Sequence, residues 1–121
     1  MRKIVIVDDD PNMSRLLRIL FELEGFEVTT AQRYQDILPL IQQVRPDAVL
    51  MDVRIHNRET LDLVQQMRQE QELAHIPVVM TSGMDYQNQC LVAGATCFVP
   101  KPFIPDEIVR LIHTLLPSVG Q

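Results

Sequence analysis

Five side chains capable of chemistry each follow a short apolar run in this 121-residue sequence. Asp8 and Asp9 follow Ile4-Val5-Ile6-Val7, and Asp52 follows Ala48-Val49-Leu50-Met51. Ser82 closes the run that begins at Ile76, and Lys101 comes shortly after Cys97-Phe98-Val99. Brought together, three carboxylates about 4 Å apart would repel by about 4 kcal/mol per pair at an effective dielectric of about 20. Either one of them takes up a proton or a cation sits among them. Hard oxygen ligands at a water-accessible edge suit Mg²⁺, which uses one or two carboxylates together with water and phosphate oxygens. A divalent ion, an ammonium and a hydroxyl aimed at one point clamp a tetrahedral oxyanion, as phosphoryl transfer requires. One of the carboxylates can itself be the nucleophile and form an aspartyl phosphate.

The five meet only if the elements between them form a parallel sheet. Lys3 to Val7 is a β-branched run, continuously apolar after Lys3, suited to a strand buried on both faces. Weaker or similar runs lie at Glu27–Thr30, Ala48–Met51, Ile76–Met80 and Cys97–Val99. Helical spacing fills the gaps. Asp10-Pro11 reads as an N-cap with proline at the first helical position, followed by Met13, Leu16, Leu17 and Leu20 and ended by Gly25. Tyr34, Ile37, Leu38, Ile41 and Val44 form a second stripe, and Pro39 inside it is expected to kink or shorten the helix. Arg54 to Glu59 reads as a polar loop, and Leu61, Val64 and Met67 mark a third helix. Asp85 is placed to cap a short fourth helix ending near Gly94. Pro105, Asp106 and Glu107 open a fifth, with Ile108, Leu111, Ile112 and Leu115 as its buried stripe. Alternating strands and helices predict an α/β fold, a doubly wound five-stranded parallel sheet of order 2-1-3-4-5 with helices on both faces. In that order the first and third strands are neighbours at the switch point, where ligands bind outside the carboxyl ends.

One domain is expected over residues 1–121, the last few forming a tail or the start of a linker. Eleven Lys and Arg against sixteen Asp and Glu give a net charge of −5, which argues against direct nucleic-acid or anionic-membrane binding. Asp8, Asp9 and Asp10 interrupt the N-terminal apolar stretch, against a signal peptide, and a reducing cytoplasm is the expected location. Cys90 and Cys97 fit no zinc spacing and read as buried thiols, and His56, His75 and His113 are scattered. The methionines read as core filling.

These motifs together resemble the receiver domain of bacterial two-component response regulators over nearly the whole chain. The residues that carry the likeness are Ile6 to Pro11, Pro46 to Asp52, Ile76 to Gly83, Ala93-Gly94-Ala95 and Phe98 to Phe103. The resemblance implies a flavodoxin-like fold with Asp52 as the phosphoacceptor, forming a 4-aspartylphosphate. It implies Mg²⁺ held by Asp8, Asp9, Asp52 and the backbone carbonyl of Arg54. It implies that Ser82 and Lys101 bind phosphoryl oxygens, that Ser82 and Phe98 act as the switch, and that Lys101-Pro102 is cis. It also implies a sensor histidine kinase or phosphotransfer protein as donor. The reading face for an output partner, or for a homodimer, would run from Asp85 to Leu116 over the fourth helix, fifth strand and fifth helix. The likeness is to a signalling module rather than an enzyme with an external substrate. His56 and Thr60 stand where the family usually has proline and glycine, so the loop from Arg54 is expected to follow another path. A guanidinium at Arg54 is expected to pair with or shield the phosphoryl group and slow its loss.

Two other classes compete. A pseudo-receiver that binds partners without phosphate is suggested by the altered loop. A phosphatase of the haloacid dehalogenase type combines the same groups, but it carries its nucleophile after the first strand in a D-x-D pattern. Asp8-Asp9-Asp10-Pro11 lacks the hydroxyl or valine that follows closely there.

Overall fold

The computed structural model describes residues 1–117, so most of the expected tail lies outside the described residues. Seven strands and five helices follow one another: β1 (Lys3–Val7), α1 (Pro11–Leu23), β2 (Glu27–Ala31), α2 (Tyr34–Val44), β3 (Ala48–Asp52), β4 (Arg54–Ile55), β5 (Arg58–Glu59), α3 (Leu61–Gln69), β6 (Val78–Ser82), α4 (Gln87–Ala93), β7 (Cys97–Pro100) and α5 (Pro105–Leu115). The five long strands form one parallel sheet in the order β2-β1-β3-β6-β7. With the small β4–β5 pair set aside, this is the 2-1-3-4-5 order predicted from the pattern. Period-two alternation sorts each strand's side chains between two cores. Val5, Val7, Val49, Met51, Val78 and Met80 pack with Ile37 and Ile41 of α2, Val64 and Met67 of α3 and Cys90 of α4. Ile4, Ile6, Leu50 and Val79 pack on the other side with Leu17 and Phe21 of α1 and Ile108 and Ile112 of α5.

The helix ends match their signals. Asp10 Oδ1 accepts from the Asn12 amide at 2.9 Å with Pro11 in the first helical position, and Gly25 takes φ +90° past the end of α1. Asp85 Oδ1 accepts from the Gln87 amide at 3.3 Å, although Tyr86 occupies the cap position of α4. Pro39 does not shorten α2, which runs on to Val44. It lies on the exposed face, where water can serve the carbonyl that its missing N–H leaves free. The loop expected from Arg54 to Glu59 is instead a two-stranded hairpin.

Arg68 of α3 locks the far end of the sheet. Its guanidinium donates to the carbonyls of Gly94 (2.8 Å), Ile76 (2.7 Å), Ala74 (3.2 Å) and Leu73 (3.4 Å). Gly94 sits at φ +110°, and a Cβ there would meet Arg68 Cγ at 2.7 Å. Hydrogen bonds from a charged donor contribute about 1.5–3 kcal/mol each, but half-burial lets water compensate some of them. Arg68→Ala is therefore expected to lower the unfolding free energy by about 3 kcal/mol in urea denaturation. A loss under about 0.5 kcal/mol would place it with ordinary surface substitutions.

Candidate functional site

The sheet order makes β1 and β3 neighbours, and their carboxyl ends carry the three acids. Asp8 and Asp9 follow β1 directly, and Asp52 is the last residue of β3. Asp8 and Asp52 are buried and Asp9 is half-buried, with one oxygen of each lying within 4.8 Å of the others. Among the described residues this is the one such acidic, histidine or cysteine cluster. Lys101, just past β7, reaches across the strand ends. Its Nζ lies 2.9 Å from Asp52 Oδ1 and 3.8 Å from Asp8 Oδ2. Its backbone amide donates to the Ser82 carbonyl at 2.8 Å, which carries the β6–β7 pairing one residue further and fixes the root of the side chain. The Lys101–Pro102 peptide is cis, as the resemblance implied.

Burial and neighbouring charge set the electrostatics. Loss of solvent raises the Asp8 carboxyl from 3.8 to about 6. The Asp10 amide, which donates to Asp8 Oδ1 at 2.8 Å, pulls it down, the Asp52 charge pushes it up, and Lys101 pulls it down again. For Lys101, burial alone would favour the neutral amine. The hydrogen bond and charge of Asp52, then the charges of Asp8 and Asp9, outweigh it and hold the ammonium above its usual range. The site thus has three acids, one fixed cation and a carboxyl with a raised proton affinity. Hard oxygens so close together fit a divalent cation such as Mg²⁺.

Two hydroxyls were not singled out as site residues from the sequence. Thr81 Oγ1 donates to Asp52 Oδ1 at 2.8 Å, because the β3–β6 register sets Thr81 opposite Asp52. Ser82, the hydroxyl expected at the site, is buried and its Oγ accepts from the Met84 amide at 3.0 Å. Thr60 is fully buried, and its Oγ1 donates to the carbonyls of Asp52 (2.8 Å) and Val53 (3.1 Å). A glycine there could make neither bond, so the departure at Thr60 ties the hairpin to the end of β3. The departure at His56 has a similar logic. His56 takes φ +49° and its amide donates to Asp9 Oδ2 at 3.1 Å, which proline could neither adopt nor supply. The Arg54 guanidinium donates to the Tyr86 hydroxyl (3.3 Å) and the Asn57 carbonyl (3.2 Å). Phe98 is half-buried against the core below α2, α3 and α4. Cys90 and Cys97 are free thiols; burial pushes Cys90 up to about 11 and raises Cys97 as well. No helix among the described residues is long and apolar enough to cross a membrane.

Residues 4–113 match the family described as the response regulator receiver domain. The chain belongs to this family. The receiver domain is 32% identical over 116 residues to the regulatory protein AtoC of Escherichia coli strain K12, a match covering 94% of this chain and 25% of that protein. It is 30% identical over 118 residues to the DNA-binding response regulator MtrA of Mycolicibacterium smegmatis, covering 95% of this chain and 50% of that one. A solved response regulator from Chloroflexus aurantiacus superposes with a TM-score of 0.85 at 27% identity, covering 94% of this chain and 96% of that one. The chain spans about half the length, or less, of the curated relatives it matches. Receiver domains are signalling modules that bind Mg²⁺ in the active site, and an acidic cluster of Asp8, Asp9 and Asp52 is present in this chain. The phosphatase reading is not favoured, since the acid in contact with Lys101 and Thr81 ends the third strand of the sheet.

Proposed function

We propose that this receiver domain accepts a phosphoryl group on Asp52 from the phosphohistidine of a sensor kinase or phosphotransfer protein. A carboxylate oxygen of Asp52 forms the new P–O bond as the P–N bond to imidazole breaks. The observation that carries this reading is the Lys101 ammonium 2.9 Å from Asp52 Oδ1, within a cluster of three acids. Asp8, Asp9 and Asp52, with the Arg54 carbonyl, would hold Mg²⁺. When bound, the ion neutralises charge on the transferring group. Lys101 offers its ammonium to a phosphoryl oxygen, and Ser82 offers its hydroxyl once it leaves the Met84 amide. That movement frees space for Phe98, so that Ser82 and Phe98 together alter the face formed by α4, β7 and α5. An output partner or a second copy of the chain reads that face. The cytoplasm, where such kinases present their phosphohistidine, is the proposed location, and phosphoryl turnover is confined to the domain itself.

Incubation with Mg²⁺ and an acyl phosphate tests the reading by intact mass. The expected result is an adduct of about 80 Da that fails to form when EDTA replaces the metal. No adduct under either condition would favour the pseudo-receiver. Multiple turnover of a small phosphoester would favour the phosphatase.

A further inference from the structure

Two short strands paired through a two-residue turn are marginal on their own, so outside ties decide where the β4–β5 hairpin sits. Its turn is His56-Asn57, with φ +49° and +67°, the geometry that matches the twist of a tight hairpin. Three ties hold it. At the tip, the His56 amide donates to Asp9 Oδ2 at 3.1 Å. On one flank, the Tyr86 hydroxyl accepts from the Arg54 guanidinium at 3.3 Å and donates to Glu59 Oε2 at 2.8 Å. Arg54 and Glu59 are the paired ends of the two arms, so one buried hydroxyl at the start of α4 clasps both. On the other flank, the Arg58 guanidinium lies 3.5 Å from the ring centroid of Tyr34 at the start of α2.

We propose that this hairpin is a strut for the metal site: the His56 backbone amide orients the Asp9 carboxylate, and Tyr86 is the positioning residue that keeps the amide within reach. The proposal rests on the reading of the acidic cluster as a Mg²⁺ site. A carboxylate with one oxygen held by an amide cannot swing away from its neighbours, and donors behind a metal ligand commonly set its affinity. The clasp is specific to this chain's sequence. It needs a non-proline residue at 56, a guanidinium at 54, an acid at 59 and a tyrosine at 86.

The test measures Mg²⁺ affinity by titration calorimetry and exchange of the His56 amide by NMR. His56→Pro removes the donor and is expected to weaken Mg²⁺ binding about 10-fold, whereas His56→Gly keeps N–H and positive φ and should stay within about 2-fold. Tyr86→Phe preserves the ring packing, and should weaken binding about 3-fold and speed exchange of the His56 amide. If His56→Pro does not fold, Tyr86→Phe decides. Unchanged or tighter binding in the variant that folds would overturn the strut, the latter because the amide would then be competing with the ion. Equal losses in His56→Pro and His56→Gly would assign the effect to the imidazole and overturn the amide's role. A wild-type protein that takes up no Mg²⁺ would overturn the metal reading itself and the strut with it.

Discussion

Asp52→Asn protein is expected to gain no phosphoryl adduct under conditions that convert the wild type, a loss of at least about 100-fold. The amide keeps the size and one acceptor oxygen of the carboxylate, so the Thr81 hydroxyl, 2.8 Å from Oδ1 in the wild type, retains a partner. Lys101 keeps Asp8, whose Oδ2 is 3.8 Å away. What disappears is the anionic nucleophile, and with it one of three mutually repelling charges. The variant should therefore melt no lower than the wild type, which separates lost chemistry from lost fold. Intact mass after incubation with Mg²⁺ and an acyl phosphate is the measurement. Equal adduct in the variant would move the acceptor to Asp8 or Asp9 and would leave the Lys101 contact without its proposed role.

Strands buried on both faces announce themselves as unbroken apolar runs, which is why the sheet and its order were legible from Ile4–Val7, Ala48–Met51 and Val78–Met80. The three acids and Lys101 were legible for the same reason, since each stands where a strand ends at one edge. What escaped depends on register and on ties between distant segments. Thr81 reaches Asp52 because β3 and β6 pair in one register, and a shift of one residue would have offered Ser82 instead. The hairpin carries no strand signal in the sequence, because Arg54 to Glu59 shows no apolar alternation and its turn lacks the glycine that usually signals positive φ. Asn57 was the one local cue. The clasp by Tyr86 joins residues 27 and 32 positions apart, and no local pattern encodes it. Pro39 does not end α2 because the solvent exposure of one helix face decides whether a missing amide costs the helix its length.

The acidic cluster should also write itself into stability against pH. Burial raises the Asp8 carboxyl from 3.8 to about 6, so between those values the folded chain binds a proton that the unfolded chain has released. Unfolding free energy therefore falls as pH rises through that window, by up to about 3 kcal/mol at 1.36 kcal/mol per pKa unit. Asp8→Asn removes the titration while keeping an oxygen for the Asp10 amide, which donates to Oδ1 at 2.8 Å. In metal-free buffer the variant and the wild type should be nearly equally stable at pH 4. By pH 7 the variant should lead by about 3 kcal/mol, or several degrees in Tm. Excess Mg²⁺ should narrow the gap, since the folded wild type, with all three carboxylates, binds it more tightly than the variant, which keeps only Asp9 and Asp52. A concentration of 100 times Kd contributes about 2.7 kcal/mol. Urea denaturation at a series of pH values, with and without Mg²⁺, measures both effects. Parallel curves for the two proteins from pH 4 to pH 7 would show that Asp8 ionises without cost in the folded chain. The crowding of carboxylates that makes a cation necessary would then lose its support.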